Sequence, residues 1–256
     1  MAYDGTPYSG FQIHVGRPTV QAELEKAIER ITRQATRVVA AGRTDAGVHA
    51  TGQVIHFRSD WMHRTADLER ALNAVLPDTI AVAALEHAEP DFHARFSAKS
   101  RCYRYDILNT ATRSPIQHRF ALHRSKRLDA DAMHTALQSL VGTHDFRAFA
   151  AGEDRDAVTV RDVTRVTCRR SGEMVRITVE ANAFLRHMMR RIVGTALEIG
   201  EGRKRTEHMK DVLTSRDKAR AGPTIPAKGL FLVHVTYPGT PGFDKTNEDL
   251  LKLKPR

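Results

Sequence analysis

Sulfur chemistry is nearly absent from this chain: its 256 residues include only two cysteines, Cys102 and Cys168. They lie far apart and form no Cys-x-x-Cys unit. That argues against a disulfide framework or a thiol redox pair and leaves reduced thiols in a cytosolic protein as the simplest account. Long apolar runs are missing too. None approaches the roughly 20 residues that span a bilayer, so no membrane-spanning segment is expected. The opening Met1-Ala2-Tyr3-Asp4-Gly5 has none of the features of a signal peptide. The 13 histidines lack tight metal-ligand spacing. His49 and His56 are seven apart across a loop–strand junction rather than paired on a helix, so no zinc site is expected. No glycine fingerprint for a nucleotide cofactor follows a predicted strand. Negative charge is also short: 30 acidic against 40 basic residues give a net charge of +10 and a pI near 9.9. That surplus points to a polyanionic partner, with RNA, DNA and an anionic membrane surface all qualifying.

The chain is long enough for one large domain or two small ones. Thr19 caps a predicted helix in which Val20, Leu24, Ala27, Ile28 and Ile31 recur at helical spacing. Val38–Ala41 and Gln53–Phe57 read as strands around a loop. Thr65–Leu76 reads as a second helix and Ile80–Leu85 as a short strand. Arg101–Leu108 follows as a strand on which Tyr103 and Tyr105 share a face. Next come a helix over 129–141 stopped at Gly142, a strand pair at Val160–Cys168 and Met174–Ala181, and a helix from about Phe184 to Ile199. Leu230–Val235 is the last strand. This irregular alternation predicts an α+β fold rather than a doubly wound parallel one. Strand-helix-strand recurs in both halves with a break near Ala98–Arg101. The expectation is therefore two lobes, 1–99 and 100–239, each a small sheet with helices on one side, and a polar tail over 240–256.

One segment carries chemistry. Gly42-Arg43-Thr44-Asp45-Ala46-Gly47-Val48-His49 is a glycine-punctuated loop between two β-type runs, holding one carboxylate and one guanidinium. Glycines let the backbone turn sharply and let a ligand come close. A lone carboxylate there is a candidate nucleophile or general base. On pattern alone a solvated turn is the commoner meaning, with Asp45 bonding its own backbone.

The longer string from Ala41 to Phe57 resembles the active-site motif of the TruA-type tRNA pseudouridine synthases. So do Tyr3-Asp4-Gly5 at the start and the segment from Pro226 to Tyr237 near the end, so the resemblance spans nearly the whole chain. It implies two ferredoxin-like lobes whose sheets join into one mixed, mainly antiparallel sheet, with helices on one side and a central cleft. It implies that Asp45 is the nucleophile that isomerises uridine to pseudouridine at positions 38–40 of the tRNA anticodon stem-loop, without a cofactor, in a cytoplasmic homodimer sharing one tRNA. Asp45 must stay ionised in a cleft that excludes water, and a close cation opposes the effect of burial. Within Phe184-Leu185-Arg186-His187-Met188-Met189-Arg190, similar to a second basic motif of the family, Arg190 is the implied partner. Arg186 and Arg190 are expected i,i+4 on one helix face, and Arg191 is expected to be solvated or phosphate-facing. Arg101-Cys102-Tyr103-Arg104-Tyr105 resembles the strand whose first tyrosine packs on the target base, and a phenol ring suits that task. Tyr105 reads as core.

Arg43 is implied to fill the space a flipped uridine leaves. The family's RNA-contacting segment is resembled by Phe92-His93-Ala94-Arg95-Phe96. There Arg95 and His93 would grip phosphate, Ala94 between them, while Phe92 and Phe96 pack beneath. The acidic loop 152–156 is a further possible RNA edge. Two departures stand out. Family members normally begin with a strand before Tyr-Asp-Gly, where only Met1 and Ala2 precede it here, so either the first lobe lacks most of a strand or the true start is upstream. Phe11 stands where the family usually has tryptophan. Two rival readings differ in class. A non-catalytic RNA-binding protein or RNA chaperone would not need Asp45. A glycosidase needs a second, paired carboxylate, and a phosphoesterase usually needs metal-binding carboxylates; neither stands out near the motif.

Overall fold

Tyr103, Tyr105 and Ile107 alternate with Cys102, Arg104 and Asp106, a two-residue period that gives a strand one apolar and one polar face. That strand lies in the middle of the sheet. The computed structural model describes residues 1–152 and 158–240; most of the acidic loop and nearly all of the tail lie outside the described residues. The elements in chain order are β1 (Ala2–Tyr3), α1 (Val20–Thr32), β2 (Val39–Ala40), β3 (His49–Ala50), β4 (Ile55–His56), α2 (Thr65–Val75), β5 (Ile80–Ala81), β6 (Ser100–Asn109), β7 (Leu122–Arg124), α3 (Ala130–Gln138), β8 (Gly142–Asp145), β9 (Val160–Ser171), β10 (Met174–Ala181), α4 (Met188–Gly200), α5 (His208–Ser215) and β11 (Leu230–Thr236).

Nine strands form one sheet in the order β5-β1-β3-β11-β6-β10-β9-β8, with β7 beside the end of β6. Every pairing is antiparallel except β3–β11 and β6–β7. The fold is therefore α+β with a mixed, mainly antiparallel sheet. The parallel pair Phe231↔His49 and Leu232↔Ala50 is the seam at which N-terminal strands meet C-terminal ones. Apolar residues of all five described helices join one core with Tyr103, Tyr105 and Ile107, while Cys102, Phe231 and Val233 form a small cluster of their own. The helices therefore cover one face, that of Tyr103.

Helix α1 begins as its sequence predicts: Thr19 accepts a hydrogen bond from the Ala22 N–H. Asp129 caps α3 by accepting from the N–H groups of Asp131 and Ala132. Each cap is worth about 1 kcal/mol. The strands expected at Val38–Ala41 and Gln53–Phe57 shrink to the short pair β2–β4 because side chains take over their ladder bonds. Glu25 accepts from the Val38 N–H, Gln21 donates to the Val38 carbonyl, and Gln53 donates to the Gly42 carbonyl. The helix expected from Phe184 starts only at Met188, since His187 has φ 60°, in the left-handed region. An α-helix interior cannot hold that conformation, so Arg186 and Arg190 do not share a helix face. The first strand, β1, is two residues long. It is paired on both edges, Tyr3 with Ala50 and with Ile80, and the Met1 ammonium donates to the Gln53 carbonyl at 2.9 Å.

At the start of β6 the buried Arg101 guanidinium gathers four stretches of backbone. Its Nε and Nη2 donate to the Ala41 carbonyl (3.3 and 3.0 Å), and its Nη1 donates to Ala98 (3.2 Å) and Asn182 (2.9 Å). The Arg95 carbonyl also accepts from Nη2. A buried cation so surrounded is costly to remove, because the carbonyls are then left without donors. Arg101→Met is expected to lower the unfolding free energy by about 3 kcal/mol in urea titrations; a loss under about 0.5 kcal/mol would show that the carbonyls do not need it.

Candidate active site

The loop that carries Asp45 is held from below by its own neighbours. The Phe11 N–H donates to the Thr44 carbonyl at 3.0 Å, and the Thr44 hydroxyl lies 2.8 Å from that of Tyr3. The Val48 N–H closes a turn on the Asp45 carbonyl at 3.1 Å. Gly47, at φ 74°, holds the turn position that favours glycine. Gly10, at φ 102°, is held to glycine by its backbone and also by space: a Cβ there would sit 2.8 Å from the Thr44 carbonyl oxygen. His49 pins the end of the loop. Its Nδ1 accepts from the Gly5 N–H at 3.1 Å, its Nε2 donates to the Arg119 carbonyl at 3.0 Å, and its ring stacks on Phe231 at 4.7 Å. Burial holds its pKa below the usual histidine range against the opposing pull of Asp4, which favours this neutral pairing. His49 is therefore an anchor.

Above this base the Asp45 carboxylate meets the start of α4. Its Oδ2 lies 3.4 Å from His187 Nε2 and 3.7 Å from Arg190 Nη1. His187 is the residue just before the helix and Arg190 lies in its first turn, and the positive end of the helix also favours an anion. Arg190 is fixed by its own Nε, which donates to the Ile225 carbonyl at 2.6 Å. The Asp45 side chain keeps 36 % of its surface exposed. The free site is thus less dry than the sequence suggests, and the carboxylate stays open to a ligand. Tyr103 completes the group from β6. Gly42 faces it: a Cβ there would lie 3.5 Å from the phenol oxygen. Burial, with Tyr3 and Asp45 nearby, pushes the Tyr103 pKa above the ordinary phenol range. Its ring meets Phe184 edge-on at 4.7 Å.

Three residues expected to act together, Asp45, Arg190 and Tyr103, are therefore neighbours, though they come from distant stretches of chain. Arg43 is exposed on the same loop. The segment 92–96 divides. Phe92 is half-buried against Tyr237 (5.0 Å), and the fully buried Ala94 accepts from the Tyr237 hydroxyl through its carbonyl. Phe96, expected to pack beneath, instead stands 75 % exposed with the Arg95 guanidinium 5.4 Å over its ring. His93 turns its Nδ1 inward to accept from the N–H groups of Arg95 and Phe96, so only its other nitrogen can reach a phosphate. Arg191 is not solvated: it is half-buried and donates to the Lys218 carbonyl. Tyr105 is core, as its pattern implies, and its hydroxyl donates to the Pro226 carbonyl at 2.7 Å. Sequence reasoning missed His187, although it lies inside the quoted basic segment. The left-handed turn that aims it at Asp45 leaves no mark in periodicity.

A half-exposed carboxylate beside a guanidinium, an imidazole and a buried phenol, on a basic chain, has the makeup of a carboxylate-centred enzyme of nucleic acid. The relatives sharpen the class. Residues 1–97 and 136–238 match the tRNA pseudouridine synthase family. Proteins named tRNA pseudouridine synthase A are 48% identical in Chloroflexus aurantiacus (242 residues, 93% of this chain and 87% of that one) and 44% identical in Shewanella sediminis (236 residues, 92% and 90%). The protein of that name in Geobacillus kaustophilus is 42% identical over 238 residues, 93% of this chain and 92% of its own. This chain belongs to the tRNA pseudouridine synthase family.

The electrostatics of the site can be read directly at His187. Burial is the main cause that lowers its pKa; Asp45 raises it, and Arg190, Arg186 and Arg191 lower it further. Asp45→Asn is therefore expected to lower the His187 pKa and Arg190→Met to raise it, as followed by NMR titration of the ring protons. Shifts of the opposite sign would contradict the arrangement.

Proposed function

We propose that this protein isomerises uridine to pseudouridine in tRNA, at positions 38–40 of the anticodon stem-loop, with Asp45 as nucleophile. The observation that carries the reading is the meeting of Asp45 with Arg190 and Tyr103 across the sheet seam. An isomerisation of this kind breaks the bond between uracil N1 and ribose C1′, turns the base and rejoins it through C5. It consumes no redox equivalent and no external energy. It needs an anionic nucleophile, a cation that keeps it charged, and an apolar face for the loose base. Asp45, Arg190 and the Tyr103 ring fill those roles, and a bound uracil would cover the carboxylate that is open in the free site.

A uridine in a stem is stacked and paired, so it must be flipped out to be reached. Arg43, exposed two residues before Asp45, is the group we assign to the vacated space, where a planar guanidinium can stack on the remaining bases. The exposed pair Arg95 and Phe96, with His93, is assigned to the RNA backbone and a neighbouring base, while Phe92 and Ala94 hold that segment in place. On this reading residues 1–99 form a lobe that supplies the nucleophile loop and residues 100–239 a lobe that supplies the tyrosine strand and arginine helix. The resemblance extends the proposal to a cytoplasmic homodimer acting on one tRNA. No described helix is long and apolar enough to cross a membrane. A purely RNA-binding role would leave unexplained why a carboxylate is kept open next to a guanidinium and an imidazole.

Asp45→Asn is expected to abolish pseudouridine formation on tRNA while tRNA affinity stays within about twofold. A variant that still makes product would sink the assignment. Arg43→Ala is expected to cut turnover by about 10²-fold, the scale of a misplaced substrate, with a much smaller change in binding. A loss confined to affinity would instead mark Arg43 as a plain phosphate contact. Binding of wild type should weaken linearly in log affinity against log salt, and Arg95→Ala should flatten that slope. An unchanged slope would remove Arg95 from the interface.

A further inference from the structure

The proposed isomerisation has a proton to move. When the base rejoins through C5, that carbon carries both its original hydrogen and the new bond to C1′. The C5 proton must leave, and N1, which has lost its bond to C1′, must gain one. The groups around Asp45 differ sharply in their ability to carry it. The guanidinium of Arg190 is a donor with no lone pair to offer. Tyr103 is held in its neutral phenol form by burial, and a protonated phenol is a poor acceptor. Asp45 is a free carboxylate once the C5–C1′ bond has displaced it, and a carboxylate is a weaker base than an imidazole. His187 offers the stronger lone pair, with its Nε2 3.4 Å from Asp45 Oδ2.

We propose that His187 is a further catalytic residue of this site, the base that takes the C5 proton and returns it to N1. The inference rests on the reading of the protein as a pseudouridine synthase. The step balances. The C5–H bond breaks, its electron pair restores the ring double bond, and the proton binds His187 Nε2. The imidazolium then releases it to N1, directly or through water, so that the product has the same atoms as the uridine and nothing is oxidised. The released Asp45 carboxylate lies beside the imidazolium while it exists. Placing the ring there has a conformational cost: a non-glycine residue is disfavoured in the left-handed region, and His187 adopts it at φ 60°. The charged groups that face the ring are Asp45 on the motif loop, Arg186 before the helix, and Arg190 and Arg191 on it. With burial, the three arginines keep the imidazole neutral and able to accept near neutral pH.

The test uses His187→Gln and His187→Gly, with tRNA carrying hydrogen or deuterium at uridine C5. Glycine adopts the left-handed conformation without strain, so the second variant keeps the fold even if the first does not. Wild-type kcat should fall as pH drops and the imidazole takes up its own proton. Both variants should lose about 10²-fold or more in kcat, the scale of general-base catalysis, with KM for tRNA little changed. They should lose the acid limb set by His187 and show a C5 isotope effect larger than that of wild type. The proposal is overturned by unchanged kcat, by a loss confined to KM, or by a kcat loss that keeps the wild-type acid limb and isotope effect. If folded wild-type protein makes no pseudouridine in tRNA, the underlying reading has failed. If wild type is active and His187→Gly matches it, only the role of His187 has failed.

Discussion

An anion held open to solvent by groups from remote parts of the chain is the constraint around which this molecule is arranged. Asp45 comes from a loop in the first fifth of the sequence, and Arg190 and His187 from the start of a helix far along it. Neither element could present its charge to the other without a common frame. The frame is the sheet seam, where two residues of β3 run parallel to two of β11, and where β6 brings Tyr103 beneath the loop. Coulomb attraction at 3.4–3.7 Å with a partly wet carboxylate is modest. The ion pair therefore does not build the fold. The fold builds the ion pair.

Arg101 shows how the frame is fixed. Its buried guanidinium gives donors to carbonyls next to the Asp45 loop, in the 92–96 segment, at the strand entry and in the turn after β10. One side chain thereby sets the distance between the Asp45 loop and the 92–96 segment. A planar fork of donors can serve several carbonyls at once, which a lysine could not. On the other face of the sheet, His49 ties the end of the loop to Gly5 and to the chain at Arg119. The loop is thus held from both faces, while its tip, with Arg43 and Asp45, remains accessible.

Much of this was legible in the sequence. Thr19 capped its helix as expected, β10 has the bounds its alternation predicts, and the α+β class is what the irregular order of elements implies, while the joined mixed sheet followed from the family resemblance. The gathering of Asp45, Tyr103 and Arg190 followed from motif resemblance, since no spacing rule links residues so far apart. What stayed hidden has physical causes. Pairings as short as β1 and β3 carry too few residues for a period to appear. The left-handed turn at His187 interrupts a helix whose apolar repeat runs straight across it through Leu185. Arg191 reads as solvated or phosphate-facing, and nothing marks Arg101 as buried, because sequence shows a guanidinium and not the carbonyls that will surround it. Phe96 was expected to pack beneath Arg95 and His93, yet it stands exposed with the Arg95 guanidinium over its ring.

The account depends on this carboxylate acting on uridine in tRNA, and the most direct measurement is a site-resolved map of pseudouridine in tRNA from cells with and without the protein. The account predicts that the modification at positions 38–40 disappears in the absence of the protein and returns when it is supplied. A map unchanged at those positions, with the protein absent, would contradict it.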